Sequence, residues 1–473
     1  MKRNGSVLMS LEEIIAGESK TIEFKEELPA DSKKYMKTVV AFSNTAGGKI
    51  IIGISDKTRE IVGVPKEKVF QIMDGIMNAI IDMCTPQIIP NITLQSIEDK
   101  TLIVIEVYPG KQRPYYIVSE GKENGTYIRT NGSSRHADST QLKELEFEGA
   151  NKYFDQTYAV GHEVTEEQIT GLCEDMKQCA LAACETENER KSVKAVTQGN
   201  LLSWGILIKQ ENKILPTNAF VLLTENDFPQ AKIQCAVFKG TTRSIFIDKK
   251  EYTGSIYRQI DEAYQFVLRN IKLGAKIKGL VRVDSYEIPV DSIRELIINA
   301  VTHRSYLDEG CVQIAIFDDR IEITSPGMLF GGLSIEDIKA GQSRPRNRAI
   351  AAAFSAMKLI EQWGSGIPRV IEECKEYGLK EPELIELGMS FRVNIYRPSE
   401  EQNEVVLTQK KKMPKVEMIL EYLEDNGSIS TSEVMQLCGY KSRGAARNVL
   451  SKMADDNLIK CVGKGAQIHY EKK

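Results

Sequence analysis

Helical and strand periodicities follow one another closely near the start of the chain. Between Ser32 and Thr45, apolar residues recur three and four positions apart, which predicts a helix with one buried face. Gly47-Gly48 ends this helix and opens a strand over Lys49–Ile54. The apolar positions of the helix are Tyr35, Met36, Val39, Val40 and Phe42.

The same region contains the pattern of a hairpin. A strand over Thr101–Val107 precedes two apolar stretches, Tyr115–Val118 and Thr126–Thr130, which are separated by a segment containing Asn124-Gly125. Asn-Gly is a strong hairpin signal because both residues tolerate a positive φ. We therefore predict that the two stretches pair with each other and that this first unit ends near residue 155.

The middle of the chain reads as a connecting domain over residues 160–284. Its pattern predicts a helix over Glu166–Cys184, strands over 218–224 and 231–238, and a long amphipathic helix over Lys250–Ile271. No residue pattern there indicates chemistry beyond structure.

A further unit is predicted over residues 285–397. It opens with a helix over Ser292–Val301 and continues with strands over Val312–Phe317 and Arg320–Thr324. It closes with a strand over Phe391–Tyr396. The polar stretch Pro398–Lys412, which ends in three lysines before Pro414, is predicted to be a linker.

The last 60 residues predict three helices followed by a short two-stranded wing, which is the order of a winged helix-turn-helix. The predicted fold class is therefore α+β and multidomain, since 473 residues exceed one ordinary core. The predicted divisions are 1–155, 160–284, 285–397, the linker 398–412 and 413–473.

Composition narrows the class of protein. Hydrophobic residues make up 42% and charged residues 27%, which is ordinary for a globular protein. The formal charge of −4 gives no general affinity for nucleic acid, so such binding would depend on local basic patches. The nine cysteines form no CxxC pair, and no apolar run has the length of a membrane span. We expect a cytoplasmic protein without membrane contact.

The N-terminal motifs resemble a known family. The signature Glu23-Phe24-Lys25, the AFSNTAGG helix end, the IGISD strand end and TYIRTNGSS together resemble the Schlafen/AlbA-type domain over about residues 10–150. In nuclease members of this family, two glutamates and a later aspartate hold a divalent metal. The resemblance places Glu18, Glu23 and Asp56 in these roles, with Mg²⁺ or Mn²⁺ as the metal.

The same resemblance leaves a second interpretation open, in which the domain only binds nucleic acid. Candidate contacts for DNA or RNA are then Lys25, Arg129 and Arg135, because the two arginines flank a Gly-Ser loop that could approach a phosphate backbone.

A second motif lies at 291–306, in DSIRELIINAVTHRSY. Together with IFDDRIEITSPG, SRPRN and EQWGSGI it resembles a divergent GHKL-type ATPase over about 285–397, whereas the GxxxxGK[ST] loop of other ATPases does not occur. Glu295 and Asn299 are four residues apart and so share a helix face. The resemblance implies that Asn299 holds Mg²⁺ with ATP and that Glu295 is the general base.

Phosphate contacts are expected nearby. Gly364-Ser365-Gly366 would let backbone amides approach phosphates, and three arginines would neutralise them: Arg344, Arg346 and Arg348. The family's D-x-G-x-G box, whose aspartate contacts the adenine amino group, is replaced by Ser325-Pro326-Gly327. Nucleotide binding with or without hydrolysis therefore stays open. His303 is expected to be a hydrogen-bonded structural residue and not a catalytic base.

The predicted winged helix is basic at its end. From Lys441 onward the chain has eight Lys or Arg against three Asp or Glu, a net charge of +5. Lys441, Arg443 and Arg447 lie at the start of the third helix, where groove-reading helices place their contacts. Lys460 and Lys464 lie in the expected wing. DNA is the favoured partner, and protein interaction is the alternative.

Three functions follow from these patterns. The leading hypothesis is a transcriptional regulator that binds DNA, responds to a nucleotide and forms homo-oligomers. The second is a metal-dependent nuclease that acts on RNA or DNA through Glu18, Glu23 and Asp56. The third is a protein-interaction scaffold in which both catalytic motifs are vestigial.

Overall fold

The structure is a computed structural model that forms two compact units, Met1–Arg397 and Pro398–Lys473. Helices and strands are mixed throughout, so the α+β fold class is confirmed. The structure describes residues 11–130, 132–224, 228–278, 281–361, 364–398, 415–438, 440, 443–455, 458–463 and 468–472.

A four-stranded sheet organises the N-terminal part of the first unit. Its strands lie in the order Ile22–Lys25, Gly48–Ile52, Lys100–Val107 and Asn91–Ile97. The first two are parallel and the other neighbours are antiparallel. Alternate residues of the second strand are buried on opposite faces, because helices cover both sides of the sheet. These helices, with the one that follows the domain, are Leu11–Ala16, Lys33–Asn44, Val69–Met83 and Ser139–Gly149.

The predicted hairpin around Asn124-Gly125 is wrong. Tyr116–Ile117 pairs with Cys84–Thr85, Tyr127–Thr130 pairs with Ser133–His136, and Gly121–Gly125 is a short helix. The Asn44 side chain explains the difference. Its Nδ2 donates to the carbonyls of Tyr115 and Tyr127, at 2.8 and 2.9 Å, so each stretch is bound to the end of the helix instead of to the other.

A six-stranded sheet organises the rest of the first unit. Its strands lie in the order Phe246–Tyr252, Ile233–Phe238, Val312–Ile316, Arg320–Pro326, Ser390–Tyr396 and Glu383–Leu387. Strand 233–238 pairs with strand 312–316 in parallel, and the other neighbours are antiparallel. The predicted boundary at 284/285 therefore does not separate two cores, because the sheet takes strands from both sides of it.

Helices pack around this sheet in one continuous core that extends from Ile169 to Ile395. The stretch predicted as a strand over 218–224 is the helix Asn218–Leu223, whose six residues are all buried. This part of the chain also contains two separate hairpins. Leu207–Gln210 pairs with Lys213–Pro216, and Leu273–Lys278 pairs with Val281–Tyr286. The helices of this region are Glu166–Ala182, Glu187–Ser192, Gln198–Trp204, Asn218–Leu223, Ile256–Asn270, Val290–Thr302, Ile335–Lys339, Arg348–Ala356 and Gly366–Glu376.

Asp155 fixes the start of one of these helices from a distant point of the chain. Its buried Oδ2 accepts from the backbone amides of Ala349 and Ile350, at 2.7 and 3.0 Å, at the N-terminus of helix Arg348–Ala356. Burial is the main cause that raises the pKa of Asp155 to about 7. The segment that contains Asp155 is thereby bound to the helix that begins at Arg348.

The second unit has the predicted order of three helices and a terminal hairpin, with one short additional strand. The elements are Lys415–Asn426, Ser428–Ser430, Thr431–Cys438, Arg443–Asp455, Ile459–Val462 and His469–Lys472. The last strand lies between the other two in an antiparallel sheet. Residues 399–412 of the predicted linker, Lys441 and Lys464 lie outside the described residues. None of the helices in the described part has the length and apolar character that a membrane span requires.

Candidate functional site

A cavity of about 700 Å³ opens in the first unit, a size typical of small-molecule sites. Its walls are helix Val290–Thr302, strand Arg320–Pro326, the segment 327–333 and the start of helix Gly366–Glu376. Apolar and polar groups share the lining, so the cavity could hold a ligand with both an apolar and a charged part. The candidate residues that line it are Glu295, Asn299, His303, Ser325, Arg344, Arg348, Gly364 and Gly366.

Glu295 and Asn299 lie on one face of their helix, as predicted. Asn299 Nδ2 donates to Glu295 Oε1 at 3.1 Å, and Arg369 forms an ion pair with Glu295 Oε2 at 2.9 Å. The Glu295 side chain is only 12% exposed, whereas Arg369 is 41% exposed. No hydrogen bond to Asn299 Oδ1 occurs among the described residues, so this oxygen is left as an acceptor beside the cavity.

Two glycines allow the chain to approach this pair closely. A Cβ at position 366 would overlap Glu295 Oε1 and would lie 3.4 Å from Asn299 Nδ2. Gly364 has a φ of +68°, and a Cβ there would overlap the carbonyl oxygen of Gly341. Position 364 therefore requires glycine, and a side chain at 366 would have to displace the Glu295 carboxylate. Both glycines line the cavity.

The three predicted phosphate-binding arginines have different environments. Arg344 and Arg348 are exposed and line the cavity. Arg346 does not line it and is buried, because its Nε donates to the His303 carbonyl at 3.1 Å and its Nη1 pairs with Glu144 at 2.9 Å. The prediction that Arg346 binds phosphate is corrected: its guanidinium binds other parts of the protein.

Two polar groups complete the wall. Burial, with a smaller contribution from Arg346, lowers the pKa of His303 to about 4, so this imidazole is neutral at pH 7 and a weak base. Ser325 Oγ donates to the carbonyl of Ala300 at 2.6 Å. Ser325 therefore occupies the wall without the carboxylate that the family pattern has at this position.

In the predicted nuclease site, the central glutamate is paired with two cations of the protein. Glu23 Oε1 pairs with Lys25 at 2.7 Å, and Glu23 Oε2 pairs with Arg129 at 2.7 Å. Glu18 Oε1 accepts from the backbone amide of Phe24 at 2.9 Å, and Asp56 is exposed. Throughout the described ranges, no group of three or more His, Cys, Asp or Glu side chains could hold a metal ion. The prediction that these three carboxylates form one metal site is therefore not met.

Two of the predicted nucleic-acid contacts are also corrected. Arg129 is 1% exposed, and it donates to Ser134 Oγ and to the Ser19 carbonyl, both at 3.2 Å. The Lys25 ammonium binds Glu23 and, at 2.9 Å, the Phe24 carbonyl. Arg129 is thus an internal cation and Lys25 is largely occupied by these contacts. Arg135 is exposed, and its contact with nucleic acid stays a prediction.

A basic surface that the sequence analysis missed lies next to Arg135. Helix Lys33–Asn44 carries Lys34 and Lys37, and a contact of 3.3 Å between Ser134 Oγ and Thr38 Oγ1 brings the strand with Arg135 and His136 against it. Within the described chain, no ion pair involves the two lysines or Arg135. We call Lys34, Lys37, Arg135 and His136 the basic rim. Only the pairing of the short hairpin with this helix reveals it.

In the second unit, Arg443 and Arg447 are exposed one turn apart on helix Arg443–Asp455. Arg443 donates to Ser432 Oγ at 3.2 Å. Lys460 pairs with Glu471 at 3.0 Å, so part of its charge is compensated. The two arginines are consistent with a surface that contacts phosphates or base edges.

Comparison with known families confirms the resemblances seen in the sequence. Residues 18–138 match the model described as Schlafen, AlbA_2, and residues 310–395 match that of the putative ATP-dependent DNA helicase recG C-terminal segment. Residues 408–473 match the C-terminal domain of the DIP2311-like transcriptional regulator. The chain thus combines an AlbA_2-like segment, an ATPase-like module and a regulator-like C-terminal domain.

Two solved structures are similar to this chain. The DIP2311 protein from Corynebacterium diphtheriae is 19% identical, with 100% of this chain and 94% of that chain covered and a TM-score of 0.42. The N-terminal domain of a putative ATP-dependent DNA helicase RecG-related protein from Nitrosomonas europaea is 28% identical. That match covers 27% of this chain and 90% of the domain, with a TM-score of 0.22.

Proposed function

We propose that this protein is a DNA-binding transcriptional regulator whose ATPase-like module binds a nucleotide. The observation that carries the nucleotide part is the cavity wall, where Glu295, Asn299, Gly364 and Gly366 line a space of about 700 Å³. Exposed cations, Arg344 and Arg348, line the same space. This combination suits a ligand that carries phosphates.

The residues present fit ATP with Mg²⁺. Arg344 and Arg348 would neutralise phosphate charge, and the backbone at Gly364 and Gly366 can approach phosphate oxygens without steric hindrance from a side chain. Asn299 Oδ1 is a hard oxygen ligand of the kind that Mg²⁺ prefers. When bound, the ion would neutralise phosphate charge and orient the phosphate chain.

Binding is proposed as the primary event and hydrolysis as secondary. Both Glu295 oxygens already have partners within the protein, Asn299 at 3.1 Å and Arg369 at 2.9 Å. A general base must accept a proton from the attacking water, and a carboxylate whose two oxygens are held by a cation and an amide donor is a weaker base than a free one.

The DNA-binding part is supported by the two surfaces outside the cavity. The second unit has the helix order of a winged helix, and Arg443 and Arg447 extend from the start of its third helix. The basic rim of the N-terminal domain offers a second set of cations for backbone phosphates, of DNA or of RNA. We place this activity in the cytoplasm and expect homo-oligomers.

The nucleotide proposal is tested by isothermal titration of the full chain with ATP and Mg²⁺. We expect saturable binding that Asn299→Ala weakens, whereas Asn270→Ala, at the end of another helix, leaves it unchanged. Failure of the wild-type protein to bind any nucleoside triphosphate would overturn this part of the proposal.

The DNA proposal is tested by the salt dependence of duplex binding, followed by fluorescence anisotropy. Arg443→Ala and Arg447→Ala should each weaken binding and lower the slope of log K against log salt by about 1. Lys452→Ala, in the last turn of the same helix, is the matched control. Cleavage of RNA or DNA with Mg²⁺ or Mn²⁺ that is lost in Glu23→Gln would favour the nuclease hypothesis instead.

A further inference from the structure

One segment forms a wall between the cavity and the N-terminal domain. We call residues 327–333 the partition loop. Gly327, Met328, Leu329, Phe330 and Leu333 line the cavity on one side. The other side of the loop is bound, directly or through one intermediate residue, either to the domain that carries the basic rim or to helix Ser139–Gly149, which follows that domain.

The first connection passes through the buried Arg346. Its Nη2 donates to the carbonyl of Met328, and its Nη1 pairs with Glu144 Oε2 at 2.9 Å. Glu144 belongs to helix Ser139–Gly149, which follows the N-terminal domain, and it also binds Ser305 Oγ. A displacement of Met328 would therefore disturb a buried ion pair.

The second connection passes through Glu386. Its Oε1 accepts from the backbone amide of Leu329 at 3.2 Å, and its Oε2 pairs with Lys20. Lys20 lies two residues before Ile22–Lys25, the first strand of the N-terminal sheet. Glu386 is 9% exposed and does not line the cavity, so it connects the two regions without belonging to either site.

The third connection is a direct steric contact. Gly331 and Gly332 both have positive φ, +70° and +77°, so the loop turns sharply here. The space beside Gly332 is filled by Pro109, Arg113 and the Thr45 carbonyl, which would lie 2.8 to 3.1 Å from a Cβ at this position. Arg113 donates to the Ser43 and Thr45 carbonyls, at the end of the helix that bears Lys34 and Lys37.

A cavity cation holds the loop from the other side. Arg344 lines the cavity, and its Nη1 donates to the carbonyl of Gly331 at 2.8 Å. A phosphate in the cavity would compete for this guanidinium, because charge-assisted bonds to phosphate are stronger than bonds to a neutral carbonyl. The residue best placed to detect phosphate is thus bound to the part of the loop that touches the N-terminal domain.

From these contacts we infer that the partition loop couples nucleotide occupancy of the cavity to nucleic-acid binding at the basic rim. The inference rests on the proposed nucleotide function and names its regulation. Coupling between two sites is reciprocal, so nucleotide must change the affinity of the rim for nucleic acid by the same factor as nucleic acid changes the affinity for nucleotide.

The test uses the full chain carrying Arg443→Ala and Arg447→Ala, so that the remaining nucleic-acid binding reports the rim. Anisotropy of a labelled DNA duplex gives the dissociation constant with and without saturating magnesium and a non-hydrolysable ATP analogue. Titration calorimetry gives the nucleotide affinity with and without the duplex. We expect both affinities to change by the same factor, of at least about fivefold.

Glu386→Gln is the diagnostic variant, because it keeps an acceptor for Leu329 while removing the ion pair with Lys20. It should reduce the coupling factor to less than about twofold and leave each separate affinity nearly unchanged. Glu383→Gln lies on the same strand, bonds to Asn394 and Tyr396, and should retain full coupling. Glu144→Gln provides a second break in the connection.

The outcomes separate the two proposals. Calorimetry that detects no nucleotide binding overturns the proposed function and this inference together. Nucleotide binding with a coupling factor of one, or with no residual duplex binding, overturns the inference alone. Full coupling retained in both Glu386→Gln and Glu144→Gln would also overturn it, because neither connection would then carry the effect.

Discussion

Two glutamates in motif positions, Glu23 and Glu295, have opposite surroundings. Glu23 is held between Lys25 and the buried Arg129, and both of its oxygens are paired at 2.7 Å. Glu295 is also paired, but its cation, Arg369, is 41% exposed, and its other neighbour is an amide beside a cavity of about 700 Å³. Glu23 forms part of the internal structure, whereas Glu295 forms part of a wall.

The difference shows what surroundings a carboxylate in a motif needs before a metal-binding or catalytic role can be assigned to it. A metal or a substrate requires carboxylate lone pairs that face an accessible space, whereas each Glu23 oxygen faces a cation of the protein, Lys25 or Arg129. Glu23 lies within the segment that matches the Schlafen, AlbA_2 model, whereas Glu295 precedes the matched ATPase-like segment, which begins at residue 310. Only the position of the neighbouring cations distinguishes an ion-pair network from a binding site.

The largest expected effect concerns the stability of the first network. Arg129→Met leaves one Glu23 oxygen buried without its partner, so the free energy of unfolding should fall by about 3 kcal/mol or more. Arg135→Met, at an exposed residue on the paired strand, should change it by less than about 0.5 kcal/mol. Urea denaturation measures both, and equal effects would show that Arg129 is not an internal cation.

A third carboxylate, Asp155, extends the comparison to a buried group that forms no ion pair with any described residue. Its pKa is raised to about 7 from 3.8, so its contribution to stability is greatest below pH 4 and is lost as pH rises to about 7. Asp155→Asn removes this loss while keeping an acceptor for Ala349 and Ile350. The variant should gain stability relative to wild type by on the order of 3 kcal/mol between the two ends of this range. Parallel pH slopes in urea unfolding would contradict the raised pKa.

Substitutions in the cavity wall around Glu295 should weaken ATP binding without lowering the free energy of unfolding. The methyl group in Gly366→Ala would overlap Glu295 Oε1 and would displace this side chain together with Asn299, which donates to it. The loss of two contacts of about 1.5 kcal/mol each corresponds to on the order of 100-fold weaker ATP binding. Gly171→Ala is the matched control, since a Cβ there meets no atom within 4 Å. Calorimetry with unchanged affinity in Gly366→Ala would remove Glu295 and Asn299 from the site.

The smallest effect separates two arginines that are two residues apart. Arg344→Ala should weaken ATP binding about tenfold, as expected for one charged contact, with little change in melting temperature. Arg346→Met should instead lower the melting temperature, because it breaks the buried pair with Glu144. If both variants affected only nucleotide affinity, the distinction drawn between exposed and buried arginines would be wrong.

Elements with strong local signals could be predicted from the sequence. The helix that carries Glu295 and Asn299 was predicted over 292–301 and extends over Val290–Thr302. The prediction succeeded because apolar residues recur there with helical spacing. The helix Asn218–Leu223 was mistaken for a strand. All six of its residues are buried, so no polar face remained to show the helical period.

The remaining errors concern long-range partners. An arginine has the same appearance in a sequence whether it is exposed, as Arg344 is, or enclosed by distant residues, as Arg129 and Arg346 are. The partners of Arg346, Glu144 and His303, lie far from it in the chain. The hairpin signal of Asn124-Gly125 failed for the same reason, because Asn44 bound both stretches that would have paired.

The parallel pair of strands 233–238 and 312–316 constrains when the sheet can fold during synthesis and where the chain can be cut into fragments that fold. The register joins Ile233 to Val312, so the centre of the six-stranded sheet cannot close until residue 316 has left the ribosome. During that interval strand 233–238 pairs only with its antiparallel neighbour, and its other edge is open to association with other chains. A gene fragment that ends between these strands would encode half of a core and should be insoluble when expressed alone.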